Sequence, residues 1–385
     1  MSTNEPIYLD HAATTPMRQE VLESMLPYFT HMFGNPSSVH RFGRDAKTAL
    51  TAARDSLAQR LGCSPNELVF TSGGTESDNL ALFGAASAAG AGRRKIVTTA
   101  VEHHAVLHAA EELERLGFEV VYAPVDETGR VDLAALEAAI DDKTAVVSVM
   151  FGNNEVGTLQ PIEAIGELAR RRGAAFHVDA VQALGHVPID LAALPVDLMS
   201  FSAHKINGPK GVGLLYASRR LKLHARAFGG PQERGRRAGT ENVAGAVGFA
   251  KAAELACADI ERRSAELAAL REAMLTTFER LLPPGAFVVN GHPTERLPHI
   301  LNVSFPGAST DTALMNLDLD GVAAASGSAC ASGSLEPSHV LRAMGADDAR
   351  LRSAIRFSFG EGNCLKSVTF AAEKTATVVK RLAYK

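Results

Sequence analysis

The spacing of apolar and polar positions changes character along the chain. Between residues 95 and 216 short runs recur, each of strand length. They are Lys95-Ile96-Val97-Thr98-Thr99, Glu119-Val120-Val121-Tyr122-Ala123, Ala145-Val146-Val147-Ser148-Val149-Met150, Ala175-Phe176-His177-Val178-Asp179, Leu198-Met199-Ser200-Phe201-Ser202 and Val212-Gly213-Leu214-Leu215-Tyr216. Several are apolar almost throughout, as strands covered on both faces are. Helical patterns lie between them, such as residues 162–172, closed by Gly173 where a left-handed backbone is favoured. This alternation predicts a mostly parallel α/β sheet. From Gly245 to Leu282 the pattern is one long helix, with Leu267, Leu270, Met274, Phe278 and Leu281 at helical spacing, stopped by Pro283-Pro284-Gly285. The shorter segments that follow, 300–305, 338–344 and 354–359, predict a smaller α+β unit, with a boundary near residue 260.

Composition narrows the class. A chain of 385 residues exceeds the usual reach of one core, which agrees with two units. A hydrophobic fraction of 46% with 21% charged residues is ordinary for a globular protein. The net charge of −4 comes without a basic stripe, which argues against nucleic acid and anionic membrane as partners. No apolar run approaches membrane-spanning length, and the first residues lack a signal-peptide layout, Ile7-Tyr8-Leu9-Asp10-His11 starting almost at once. Cys63, Cys257, Cys330 and Cys364 are far apart and form no CxxC, against both a disulfide framework and a zinc ribbon. A cytoplasmic protein with free thiols is expected.

Three segments carry chemistry. Lys205 in Ser202-Ala203-His204-Lys205-Ile206-Asn207-Gly208 follows a predicted buried strand, where partial desolvation would make its amine a Schiff-base nucleophile. Taken singly, such a lysine is more often a surface residue. Asp179 ends the preceding strand, and an aspartate there can meet a lysine after the next strand at one sheet edge. In pyridoxal-phosphate (PLP) enzymes such an aspartate keeps the ring nitrogen protonated and the ring an electron sink. Finally, Thr71-Ser72-Gly73-Gly74-Thr75-Glu76-Ser77 runs from an apolar stretch into a helix, a start whose N–H groups suit a phosphate, though it is not a Walker loop. His104 and His108 stand four apart as zinc ligands could, but no third ligand or HExxH glutamate accompanies them, and no metal is expected.

Together these segments resemble the cysteine desulfurases of the NifS/IscS group, in the class V aminotransferase family of PLP fold type I. The resemblance spans nearly the whole chain: Tyr8-Leu9-Asp10-His11-Ala12-Ala13-Thr14-Thr15-Pro16, Gly34-Asn35-Pro36-Ser37-Ser38, 71–79, Glu102-His103-His104-Ala105-Val106, Asn153-Asn154-Glu155-Val156-Gly157, 179–182, 202–211, Gly239-Thr240-Glu241-Asn242 and 326–342. It implies a large PLP-binding domain over residues 16–260, built on a mostly parallel seven-stranded sheet flanked by helices. Residues 1–15 and 261–385 would form a small domain carrying the catalytic cysteine loop. By resemblance, Lys205 holds PLP as a Schiff base and moves the Cα proton. Asp179 faces the ring nitrogen, Gln182 the phenolic oxygen, and His103 stacks on the ring and takes part in proton transfer. Gly74, Thr75, Ser202 and His204 hold the phosphate, and Thr240 reaches the phosphate of a partner subunit, implying a homodimer. Asn154 and Arg356 bind the substrate carboxylate, a task suited to the planar fork of arginine.

Cys330 would be the sulfur acceptor. It lies in Ala325-Ser326-Gly327-Ser328-Ala329-Cys330-Ala331-Ser332-Gly333-Ser334, a run of small residues read as a loop before a helix framed by Pro337 and Gly345. An ordinary thiol, with a pKa of about 8.5, is only slightly ionised at neutral pH, and the cofactor site could raise that fraction. The resemblance implies that L-cysteine gives L-alanine and a Cys330 persulfide, whose sulfur passes to an acceptor or iron–sulfur scaffold protein. Residues 236–242 and 330–334 look closer to NifS than to IscS, which favours nitrogenase-type clusters. Selenocysteine cleavage and transamination are the rival reactions on this fold, and a non-catalytic iron–sulfur scaffold would leave Lys205 and Asp179 without purpose. After Arg356-Phe357-Ser358 the chain departs from the family with Phe359-Gly360-Glu361-Gly362-Asn363-Cys364-Leu365. Cys63, Cys257 and Cys364 are expected to be structural, Cys364 through burial.

Overall fold

The computed structural model describes residues 6–327 and 337–383. Strand β1 (Ile7–Tyr8) comes first. Strands β2 (Leu68–Thr71), β3 (Lys95–Thr99), β4 (Glu119–Ala123), β5 (Thr144–Ser148), β6 (Ala175–Asp179), β7 (Leu198–Ser202) and β8 (Gly213–Ala217) make a seven-stranded sheet. Their order is β2-β8-β7-β6-β5-β3-β4, and β8 alone runs against its neighbours. The mostly parallel sheet expected from the alternation of strands and helices is therefore present.

Both faces are covered, which is why the central strands read as nearly continuous apolar runs. Phe70, Val97, Val147, Phe176, Val178, Met199 and Phe201 face helices Arg41–Leu61, Ile162–Arg171 and Val243–Cys257. Val69, Ile96, Val146, Ala175, Leu198 and Leu215 face helices Gly74–Ala88 and His104–Arg115. The period of two then places His177 and Asp179 on the second face, in step with Ala175 and beneath the helix that begins at Gly74.

A second apolar core joins Leu267, Met274, Phe278, Val303, Phe305, Leu317, Phe357 and Val368. Its antiparallel sheet has the order β12-β10-β9, from β9 (Val288–Asn290), β10 (Ile300–Ser304) and, after β11 (Val322–Ala323), β12 (Ala354–Ser358). Leu9 belongs to this core, and β1 pairs in parallel with β11. From there residues 10–15 cross back to the large sheet, where the Thr15 N–H and Oγ1 both donate to the His204 carbonyl, at 3.0 and 2.7 Å. Among the described residues no helix is long and apolar enough to cross a membrane.

Two expectations need correction. The helix read as continuous over 245–282 is two helices, Val243–Cys257 and Ile260–Leu281. Between them Asp259 leaves helical geometry (φ −154°) and its carboxylate accepts from the Arg262 N–H, so a capping interaction defeats a continuous apolar period. Cys364 is exposed rather than buried. It directly precedes helix Leu365–Ala383, and hydrogen bonds with Ser367 lead the interactions that hold its thiol below the usual pKa. Cys63 and Cys257 are partly buried, and burial pushes the Cys63 thiol up to about 12.

One buried ion pair ties the segment around Glu233 to edge strand β2. Arg54 donates to both Glu233 oxygens (2.8 and 2.5 Å) and to the Leu68 carbonyl (2.8 Å), while the Phe70 N–H donates to Glu233 (3.0 Å). The partners are 8% and 5% exposed, so removing one leaves the other charged and dry. Glu233→Ala is accordingly expected to cost about 3–5 kcal/mol, read as a lower urea midpoint. A loss below about 1 kcal/mol, as for an exposed pair, would show that water compensates Arg54.

Candidate active site

The carboxyl ends of β3, β6 and β7 converge at one edge of the large sheet, the usual location of ligand sites in open α/β sheets. There a cavity of about 230 Å³ is lined by Asp179 and Gln182 from the end of β6, by Ser202, His204 and Lys205 from the end of β7, and by His103 after β3. Gly74 and Thr75 line it from the helix start, and Asn154 and Arg356 from the side of the second core. Thus ten of the sequence-selected residues share one cavity. Thr240 is exposed and is not among the lining residues. Cys330 lies outside the described residues.

Lys205 ends a single turn after β7, and its Nζ donates to the carbonyls of Ala12 (2.5 Å) and Ala13 (2.8 Å). The amine is thereby aimed by the crossing segment 10–15. Asp179 accepts the Val181 N–H (2.9 Å) and is pushed up to about 7, first by burial and then by Asp78, against the weaker pull of Lys205. Asp78 sits one helical turn after Gly74, is 1% exposed and is likewise raised to about 7 by burial. Its Oδ1 is 3.5 Å from His177 Nε2, and the His177 ring is held between Ser148 (2.8 Å) and Ser200 (3.0 Å). Glu102, fully buried, is raised to about 8 despite accepting from Thr99 and the Met150 N–H. Three acids thus crowd one dry volume.

His103 caps helix His104–Arg115, its Nδ1 accepting the Ala105 N–H at 3.1 Å. Burial, and then Lys205, push it down to about 4, so its ring is neutral with the proton on Nε2. Burial also lowers His204 to about 4, and its Nδ1 is 3.1 Å from Thr14 Oγ1. Arg356, 1% exposed on β12, already donates to Asp10 Oδ1 (2.8 Å) and to the carbonyls of Asn154 (2.9 Å) and Gly327 (3.1 Å).

These residues fit pyridoxal phosphate. Ser202 Oγ is buried with no hydrogen-bond partner among the described residues, beside the first N–H groups of helix Gly74–Ala88, a ready phosphate cradle. At Gly74 a Cβ would stand 2.7 Å from Val181 Cγ2, so the helix start can approach β6 only without a side chain. Asp179, costly to ionise as it stands, suits a cationic ring nitrogen, and the Lys205 amine suits an aldehyde carbon. Among the described residues no group of three or more His, Cys, Asp or Glu is placed to hold a metal ion.

Sequence reasoning assigned no part to Asp78, Glu155 or His339, which also line the cavity. Asp78 was legible in principle, four residues after Gly74 and so on the same helix face. Glu155, which accepts from Ser338 Oγ at 2.5 Å, and His339, whose Nε2 is 2.9 Å from the Glu102 carbonyl, meet the cavity through contacts between residues far apart in sequence.

The chain matches the family model for aminotransferase class-V over residues 7–369. It is 52% identical to a putative cysteine desulfurase IscS 1 of Bacillus subtilis, over 98% of this chain and all of that one. It is 48% identical to a cysteine desulfurase IscS of Methanosarcina thermophila, over 98% of this chain and 93% of that one. A solved structure named as a NifS-like protein superposes with a TM-score of 0.92 at 37% identity, covering 98% of this chain and all of that one. With IscS names on the sequence relatives and a NifS-like name on the structure, these matches do not divide the two groups.

The acid cluster sets a pH dependence for protein stripped of cofactor. Asp78 and Asp179 near 7 and Glu102 near 8 stand above their ordinary values of 3.8 and 4.5, so the folded state binds more protons than the unfolded one between those limits. Their contribution is complete below about pH 4 and is lost as pH rises to about 8. The thermal midpoint of cofactor-free protein should therefore fall from about pH 6 to about pH 8.5, and less steeply in Asp78→Asn. A midpoint that rises over that range in both proteins would contradict the assignment.

Proposed function

As the chain belongs to the aminotransferase class-V family and is a pyridoxal-phosphate-dependent cysteine desulfurase, we propose that it moves the sulfur of L-cysteine onto Cys330 and releases L-alanine. The observation that carries this reading is the cavity in which Lys205, Asp179, Gln182, His103 and the Gly74–Ser202 cradle come together. Pyridoxal phosphate supplies an electron sink for the charge left when the substrate Cα loses its proton. Lys205 holds the cofactor and then carries the proton at Cα. Asp179 would hold the proton on the ring nitrogen, Gln182 would donate to the ring oxygen, and His103, neutral near pH 7, would stack on the ring and pass protons through Nε2. Gly74, Thr75, Ser202 and His204 bind the phosphate.

Asn154 and Arg356 receive the substrate carboxylate, for which Arg356 exchanges its present contact with Asp10. The Cys330 thiolate attacks the substrate sulfur. A sulfur–sulfur bond forms as the carbon–sulfur bond breaks, and the carbon keeps the electron pair and takes a proton to become alanine. Residues 16–260 act as the cofactor-binding unit, and 1–15 with 261–385 as the unit carrying the thiol.

The working form is a homodimer in which Thr240 reaches the partner's phosphate site. Its exposure supports this, as do the exposed Phe29, Phe33, Val39 and Phe42, with Phe33 and Phe42 stacked 5.6 Å apart. The persulfide sulfur goes to an acceptor or scaffold protein for iron–sulfur cluster assembly in the cytoplasm. Supply of nitrogenase-type clusters is the finer reading, supported by residues 236–242 and 330–334 alone.

The deciding experiment mixes purified yellow protein with L-cysteine and a thiol reductant and assays sulfide and alanine. Wild type should give the two in equal amounts. Cys330→Ala should keep its cofactor colour and lose both products, whereas Lys205→Ala should lose the colour as well. Full activity in Cys330→Ala would move the acceptor elsewhere and make a different class V reaction the better account. Light scattering should give twice the chain mass, and a monomer with full activity would remove the role assigned to Thr240.

A further inference from the structure

Lys205 lines a second cavity, of about 360 Å³, together with His11, His186, His299, Arg263 and Gly360. None of these histidines has a part in the chemistry above. His299 directly precedes β10 and is 2% exposed, and its ring stacks on that of His186 with centroids 3.7 Å apart and planes 17° from parallel. Its Nε2 lies 3.3 Å from Gln182 Oε1.

The proton in that contact can be assigned from its surroundings. The Ala12 carbonyl can only accept, so the Gln182 atom 2.9 Å from it must be the amide nitrogen. Gln182 therefore turns its oxygen to His299, which must carry its proton on Nε2. The other nitrogen, Nδ1, is a buried acceptor with no partner among the described residues. Burial lowers the His299 pKa well below the ordinary value, and His186, His11, Lys205 and Arg356 add to it, so the ring stays neutral. The Ala12 carbonyl also accepts from Lys205. A continuous chain of hydrogen bonds thus runs from His299 through Gln182 and Ala12 to the lysine.

We infer that His299 is a positioning residue of the cofactor site, pinning the oxygen of Gln182 so that the second amide N–H of Gln182 donates into the main cavity, onto the ring oxygen of pyridoxal phosphate. The inference rests on the part given to Gln182 in the proposed function. Without His299 the buried Gln182 oxygen loses its donor, an uncompensated cost that the amide relieves by turning away from its place.

An N–H donated to the ring oxygen stabilises its negative charge and weakens its hold on the proton of the neighbouring lysine–cofactor linkage. Loss of one such bond should raise the pH midpoint of the bound cofactor's colour change by about half to one unit. Holoenzyme is therefore titrated by visible absorbance as wild type, Gln182→Ala, His299→Phe, His299→Gln and the double variant Gln182→Ala/His299→Phe. His299→Phe keeps a ring to stack on His186 but no donor, and His299→Gln keeps a donor. His299→Leu is a second donor-less variant should phenylalanine not be accommodated.

Gln182→Ala and His299→Phe should both raise the midpoint, the double variant no further than Gln182→Ala alone, and His299→Gln should stay near wild type. If Gln182→Ala shifts the midpoint and His299→Phe does not, the inference falls and the part given to Gln182 stands. No shift in Gln182→Ala overturns both. A His299→Phe shift that persists in the Gln182→Ala background, or an equal shift in His299→Gln, shows that His299 acts by packing and also overturns the inference.

Discussion

Burial of the Asp179 carboxylate is the constraint on which the site depends. It ends a strand covered on both faces, shares its volume with Asp78 and Glu102, and is held near 7 because desolvation outweighs the pull of Lys205. Acids crowded in a dry volume are costly unless protonated or paired with a cation. In the proposed function a cofactor with a protonated ring nitrogen would offset that cost, and the carboxylate would keep the ring in its electron-accepting form. On that reading the destabilisation of the acids and the electron-accepting capacity of the ring have one origin.

The second requirement is that a lysine on the large unit be aimed by the chain's beginning. Residues 10–15 leave the core that contains Leu9, offer the Ala12 and Ala13 carbonyls to Lys205, and fasten through Thr15 to the His204 carbonyl. Asn207, with a left-handed backbone (φ +62°), turns the loop so that its N–H meets Thr15 Oγ1 and its side chain meets the Pro16 carbonyl. The segment that leaves the second core is therefore fastened around the Lys205 amine. Asn154 and Arg356, the residues proposed to receive substrate, line the same cavity as Lys205.

Residues 359–365 pack against the segment around Tyr8 and His11. Gly360 packs against the His11 ring so closely that a Cβ would come within 2.3 Å of Nδ1. Phe359 N–H donates to the His299 carbonyl (2.8 Å), and Asn363 donates to the Tyr8 carbonyl (3.0 Å). This stretch thus lines the second cavity, beside His299, and is not among the residues that line the main one. Cys364 at its end is exposed at a helix start, where polar contacts govern the thiol.

Local pattern determined much of this protein from the sequence alone. The apolar runs marked the strands from Lys95 to Tyr216, because a strand buried on both faces has no polar face to interrupt it. Glycine and hydroxyl residues marked the helix start at Gly74, since such a turn needs close backbone approach and free N–H groups. The long helix was misread at Asp259, where one side-chain cap outweighs a period extending on both sides. Tertiary structure decided what touches what. The strand order puts β7 beside β6, so Lys205 and Asp179 line one cavity, and the crossing segment brings Ala12 to both Lys205 and Gln182, 193 and 170 residues away. His299 had no local mark at all: its place depends on a stack with His186 and a bond to Gln182, contacts between distant segments that exist only once both units have folded.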